Sequence, residues 1–454
     1  MGSPSVDKAS QLDERSIRKI ATLSLVGASV EWFDFFLYGT AAALVFPALF
    51  FPNADPATGV LLSFATFGVG FVARPVGGVI WGHFGDRVGR KKAFLAALMT
   101  MAVGSVLIGL LPTYAAIGVA APILLTVLRF VQGLAVGGQW GGAVLLATEY
   151  APPRKRGFYG SFAQIGVPIG VLLGVVAFFF LNLGMGKEAF QSYGWRIPFI
   201  ASILLVAVAI YAKAKLEDTP AFKHLQRLAA EEAAQGVVSR SPILEVLRTA
   251  WRRVLLAGGA FTVVNTTFYL YITFSLDYGV RILQMPRTSM LLAIAIASLV
   301  QIPALAIFAA ISDRTGRRPM YLAGAIGTAI WAFPLFWLFD TRTGWGVILA
   351  LLGGQLTLSM MYGPLAAFFS ELFNARLRYS GASLGYQLGA LLGGAVSSVV
   401  AVWLFTTFGS NVPISLYIIL VSVIAIVCTL ALTETYQHDL DDAEEEVAPG
   451  SPSR

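Results

Sequence analysis

The chain alternates long apolar runs with short polar segments, and no shorter period of two or four residues organises it. A helix needs about 20 consecutive apolar residues to cross a bilayer. Twelve runs meet that need, at 20–46, 58–83, 93–112, 119–148, 159–184, 196–213, 252–280, 289–311, 320–339, 345–370, 379–408 and 412–433. The expected fold class is therefore an all-α membrane protein of twelve transmembrane helices. The first run is too long for a signal peptide and lacks a small-residue cleavage site, so it reads as a span.

The polar segments repeat. GHFGDRVGRKK at 82–92 returns as AISDRTGRRP at 310–319, each copy lying between two apolar runs. Asp86, Arg87 and Arg90 of the first copy fall in register with Asp313, Arg314 and Arg317 of the second. A second pair, Glu149 with Arg156 and Glu371 with Arg378, repeats at nearly the same offset, about half the chain. Two such offsets point to a duplicated unit and hence to two pseudo-symmetric six-helix bundles, 20–213 and 251–433. An N-terminal segment at 1–19 and a linker at 214–250 with some helix read as cytoplasmic, and the acidic stretch 434–454 reads as a disordered tail. That tail lacks the apolar heptads of a coiled coil.

Composition agrees with the spans. The chain is 57% hydrophobic and only 13% charged, with mean hydropathy +0.73, whereas soluble domains carry about 25% charged residues. A net charge of +7 and a pI near 9.4 would suggest nucleic acid as a partner, but the placement of the cations rejects it. With both termini inside, only Lys187, Arg196, Arg281, Arg287 and Arg342 fall in outer segments and only Arg74 and Arg129 within spans. This is the positive-inside bias of a multi-pass protein, expected in a bacterial cytoplasmic (inner) membrane. The single cysteine, Cys428, excludes a disulfide within the chain. No metal-ligand spacing and no nucleotide-binding loop appears, so neither metal, cofactor nor ATP is expected.

Charges inside spans carry the functional signal, because each costs on the order of 2.5–3.5 kcal/mol at the bilayer centre. Glu31 and Asp34 lie roughly 16 and 21 Å into the first span by helical rise, three residues apart and on one face. Two such carboxylates cannot both ionise cheaply, which makes them candidate proton carriers. The alternative is a static ion pair with Arg74 or Arg129. Arg129, in the fourth span with Gln132 one turn on, offers a bidentate grip on a substrate carboxylate or a partner for those acids. Arg74 precedes Pro75, which frees a carbonyl; it either contacts substrate or snorkels toward the cytoplasm. Asp277 lies near an outer end. Gln139, Gln164, Asn265, Tyr269, Tyr362 and Gln387 supply amides and phenols from both halves for a polar cavity.

The strings GASVEWFDFFLYG (27–39), FVARPVGG (71–78), LRFVQGLAVGG (128–138), TEYAPPRKRG (148–157), GWRIPF (194–199) and RYSGASLGYQ (378–387), with the duplicated loop, resemble the major facilitator superfamily. The resemblance is to its metabolite:proton symporter branch and most of all to the shikimate carrier group. It implies alternating access around a midplane site, with protons as the coupling ion. The substrate would be a small polar metabolite, an organic acid of shikimate or dicarboxylate type. It further implies a cytoplasmic gate made by the two loops, Asp313 lying near Tyr159, Gly160 and Ser161 and Asp86 near Tyr379, Ser380 and Gly381. Two departures bear on coupling: Gln139 stands where the branch commonly has Glu, and GVPIG at 166–170 is loosely like an antiporter signature. Proton-driven export and osmolyte or betaine uptake are the alternatives, and a non-transporting sensor is the remote one. The expected assembly is a monomer whose partners are the lipid bilayer, protons and a small molecule.

Overall fold

The computed structural model describes residues 14–88, 90–137, 148, 151–214, 242–373 and 377–436. Twelve long helices account for most of them. The first six are α1 (Glu14–Leu44), α2 (Pro56–Val88), α3 (Arg90–Leu110), α4 (Ala120–Val136), α5 (Arg156–Gly184) and α6 (Arg196–Ala214). The second six are α7 (Trp251–Ile282), α8 (Arg287–Thr315), α9 (Arg317–Asp340), α10 (Gly344–Glu371), α11 (Arg378–Phe408) and α12 (Val412–Ala431). Among the described residues, eight helices are long and apolar enough to cross a membrane, and α3 and α4 contribute shorter apolar stretches.

The two halves repeat one packing scheme. In the first, α1 packs on α5, α2 on α4, and α3 on α4 and α6; in the second, α7 packs on α11, α8 on α10, and α9 on α10 and α12. Each contact reappears six helices later. Between halves α5 meets α8 and, by the same two-fold relation, α2 meets α11; α1 meets α7, and α5 also packs on α10. Local sequence explains several boundaries. Asp55 starts α2 by accepting the N–H groups of Ala57 and Thr58, both at 3.1 Å, with Pro56 at the first helical position, where its missing N–H costs nothing. Wide π turns at Leu270–Phe274 and Tyr278–Ile282 of α7, and at Ala390–Gly394 of α11, mark helices facing the opposite half, a frequent setting for such turns.

Several expected boundaries move. α1 begins at Glu14, ahead of residue 20, and a separate short helix, Phe46–Phe50, follows it. The fourth span is described only to 137, so the remainder of its predicted length to 148, Thr148 apart, lies outside the described residues. The predicted linker ends in a helix, Pro242–Thr249, while 215–241 lies outside the description. The tail reading is corrected at its start: Glu434 accepts the backbone N–H groups of Arg317 and Arg318, each at 2.9 Å, and so caps α9. A carboxylate at a helix N-terminus is held by the N–H groups left open there, and this attachment orders 434–436.

α2 and α4 approach so closely that their glycines are obligatory. A Cβ on Gly133 would run into the backbone oxygen of Gly70 and lie 2.8 Å from the Cβ of Ala73. The obstacle is backbone, which cannot rotate away. Gly133→Ala is therefore expected to cost about 1–3 kcal/mol, the usual scale of overpacking. Gly184→Ala, with open space around it, is the control. Unfolding midpoints in detergent check this, and equal midpoints for the two variants would refute the close-packing account.

Candidate functional site

Arg74 and Arg129 are 2% and 1% exposed, and both guanidiniums press on one phenyl ring. The Cζ of Arg74 lies 4.5 Å from the Phe35 centroid and that of Arg129 lies 4.2 Å from it. Arg74 also faces Phe71 at 4.4 Å and Trp32 at 5.7 Å; Arg129 faces Tyr38 at 4.4 Å and Phe67 at 4.8 Å. Phe67, Phe71 and Arg74 are spaced i, i+4, i+7 on α2, while Trp32, Phe35 and Tyr38 are spaced i, i+3, i+6 on α1, so two helical faces form the sheath. Cation–π contact contributes about 0.5–2 kcal/mol per pair, short of the cost of removing a guanidinium from water. Nε and Nη2 of both arginines find no hydrogen-bond acceptor. Buried donors left open in this way favour an arriving anion.

Asp34 lies deeper in the first half. Its Oδ2 accepts from Gln132 Nε2 at 3.1 Å; that nitrogen also reaches Ser105 Oγ at 2.6 Å, and Arg129 Nη1 donates to Gln132 Oε1 at 3.2 Å. Gln132 thus stands between Arg129 and Asp34, and no direct ion pair joins Asp34 to either arginine among the described residues. Glu31 is near enough to Tyr386 of α11 for its charge to act there, whereas the charge acting on Asp34 is that of Arg129. Three residues turn a helix by about 300°, which leaves the two side chains about 60° apart on one face, Asp34 at the edge toward α3 and α4 and Glu31 at the edge toward α11.

Between the halves a small internal cavity of about 10 Å³ is lined by Trp32 and Val167 of the first half and by Asn265, Phe268, Tyr269, Tyr362 and Tyr386 of the second. That space holds about one water molecule. Arg74 lies close to Tyr269, Tyr362 and Tyr386. Of the residues singled out in the sequence, Asn265, Tyr269 and Tyr362 line the cavity, with Arg74 beside it. Arg129, Gln132, Gln164 and Gln387 are not in its lining. The cause for Arg129 is its position behind the Phe35 and Phe67 rings. Gln139 and Glu149 lie outside the described residues, as do the side chains of Asp86, Arg87 and Arg90. Sequence reading missed the sheath of Trp32, Phe35, Phe67 and Phe71, although the spacing with Arg74 was visible.

At the end carrying the second duplicated loop, Asp313 joins the halves. Its Oδ1 and Oδ2 accept from the N–H groups of Gly157 and Phe158 at 2.8 and 2.9 Å, two residues before the expected Tyr159–Ser161. The shift follows from α5 beginning at Arg156, which leaves those N–H groups open. Arg317 ties Asp313 (2.8 Å) to Glu371 (3.2 Å), and Thr435 Oγ1 donates to Glu371 at 2.8 Å. Arg378 donates to the Ser370 carbonyl at 3.0 Å and Arg156 is buried. Arg314 is exposed and makes no polar contact among the described residues. At the opposite end Asp277 is held by both Nε and Nη2 of Arg281, at 2.9 and 2.8 Å.

The family described as "Sugar (and other) transporter" matches residues 20–446. The inner membrane metabolite transport protein YhjE of Escherichia coli K12 is 39% identical over 437 residues, covering 94% of this chain and 96% of that one. The shikimate transporter of the same organism is 39% identical over 405 residues, 87% and 89% of the two chains. The proline/betaine transporter of Salmonella typhimurium is 32% identical, covering 95% and 86%. Among solved structures, the major facilitator superfamily proton:xylose symporter XylE bound to 6-bromo-6-deoxy-D-glucose has a TM-score of 0.68 at 16% identity, covering 92% and 95%; that likeness concerns the fold. The chain belongs to the sugar (and other) transporter family within the major facilitator superfamily, as a multi-span helical membrane transporter and not an enzyme.

Proposed function

We propose that the protein is a proton-coupled symporter of a small organic anion, set in a bacterial inner membrane with both termini cytoplasmic. The halves 20–213 and 251–433 rock about the midplane. The observation that carries this reading is Arg74, a buried cation with open N–H donors beside phenols and an amide from the other half. Arg74 takes the substrate carboxylate, and Asn265, Tyr269, Tyr362 and Tyr386 take its hydroxyls; the cavity widens as the halves part. Arg129 acts one layer back, holding Asp34 through Gln132. Asp34 carries the coupling proton in this reading, with Glu31 facing the substrate side. Gln164 and Gln387 remain candidates only for a wider state. The duplicated loops with Asp313, Arg317, Glu371, Arg156 and Arg378 form the cytoplasmic gate. A betaine is the second reading, favoured by the aromatic lining of the cavity.

Three outcomes are expected. Shikimate and glycine betaine serve as probes, since relatives carry those names. Arg74→Gln should weaken binding of the carboxylate probe by about 10- to 100-fold, the scale of lost charge-assisted hydrogen bonds, as read by thermal shift; unchanged binding of a probe that stabilises the parent protein would refute the role. In proteoliposomes, Asp34→Asn should lose uphill accumulation but keep substrate exchange, which moves no net proton. If Asp34 is merely structural, exchange and stability fall together. For the gate, Asp313→Asn should speed thiol labelling of Ala163→Cys, which is packed against Ala366 beneath the α5–α10 contact. An unchanged labelling rate would remove Asp313 from the gate.

A further inference from the structure

A second cavity, of about 460 Å³, opens between the halves at the end opposite the Asp313 contact. It is more than forty times the volume of the internal cavity, large enough to admit a small metabolite before the site contracts around it. Four charged residues line it: Asp55 from the first half and Asp277, Arg281 and Arg287 from the second. Their signs balance on paper, but their partners do not. Asp277 is matched by the two-pronged grip of Arg281. Asp55 is matched by the N-terminus of α2, whose N–H groups occupy its Oδ1 and whose dipole opposes its charge. Arg287 has no such match. It is half-buried, stands at the first position of α8 after Pro286, which supplies no side-chain cap, and makes no hydrogen bond or ion pair among the described residues. The helix end beneath it adds positive potential of the same sign.

We infer that this vestibule is an anion-capture site, in which Arg287 holds a small carboxylate ahead of the internal site. Gln191, from the first half, also lines the vestibule. The ligand class rests on the proposal of an anionic substrate, while the charge of the vestibule does not. A cation at a rim acts mainly on encounter rate and is sensitive to salt, so capture here sets how fast an anion enters and leaves the later grip to Arg74.

The test reads the vestibule directly. In a Cys428→Ser background, Gln191→Cys is labelled with two thiosulfonates of equal size, one carrying a sulfonate and the other a trimethylammonium group, each rate normalised to a free thiol. The anionic reagent should be favoured. Arg287→Gln should lower the anionic-to-cationic ratio by about threefold or more, by the size of local steering effects; Arg287→Lys should retain the ratio and 0.5 M salt should erase it. A ratio unaltered by Arg287→Gln, or a preference for the cationic reagent, overturns the proposal. Capture is then read as slowing of labelling by millimolar shikimate but not glycine betaine, measured in Arg74→Gln so that internal binding plays no part. Loss of that protection in Arg287→Gln supports capture; protection persisting there, or absent even with Arg287 in place, overturns it. Failure of the internal-site reading would appear in Arg74→Gln transport and leave these labelling ratios unchanged.

Discussion

Two guanidiniums are buried in the middle of one bundle with too few acceptors, and much of the first half is arranged around that fact. A charge there is tolerable only if something offsets its lost hydration. The offset comes in layers: aromatic faces from α1 and α2, one amide oxygen from Gln132, and the carboxylate of Asp34 at second remove. None of these closes the account for Nε and Nη2 of either arginine. If the substrate is an anion, as proposed, it would meet a site whose desolvation is already met by folding, which is the general advantage of a preorganised charge.

The close approach of α2 to α4 follows from the same requirement. A Cβ on Gly70 would lie 2.8 Å from Arg129 Nε, so the glycine makes room for the guanidinium on the ring side of α2. Gly133 meanwhile lets the helix carrying Arg129 come near enough for it to reach across. Small residues are the usual means of tight helix contact in a bilayer. Here they also set the depth of a charge, so packing and electrostatics are one problem on these two helices.

Most of the fold could be read from the sequence, because length of apolar run and repetition of a loop are one-dimensional signals. Helix ends were less legible. α1 extends back through Glu14, Arg15 and Arg18 because helix formation tolerates charges that a hydropathy count rejects. The attachment of Glu434 was invisible because its partners, the N–H groups of Arg317 and Arg318, are more than a hundred residues away and belong to the backbone. The site was half legible. Charges in spans named Arg74, Arg129, Glu31 and Asp34, but their grouping depended on helix rotation. Counting three residues put Glu31 and Asp34 on one face, but which neighbour each acid meets, α11 for Glu31 and α4 for Asp34, is set by packing that a count cannot show.

The two halves share a backbone plan but divide the chemistry. The ionisable groups singled out within the spans, Glu31, Asp34, Arg74 and Arg129, all belong to the first six helices, while the second six present an amide, Asn265, and phenols, Tyr269, Tyr362 and Tyr386. In the second half the buried charges lie near the ends of helices: Asp277 with Arg281, and Arg317 with Asp313 and Glu371. This division has a mechanical consequence. If the halves rotate against each other as proposed, the two guanidiniums would move together with their aromatic sheath, which belongs to the same half. What the second half offers there is neutral hydrogen-bonding capacity, worth about 0.5–1.5 kcal/mol per bond. Among the described residues, a carboxylate crosses the interface at the end of the second duplicated loop, where Asp313 accepts from the start of α5. Under that proposal the first half would hold the charge, and the second would meet it with neutral phenols and an amide.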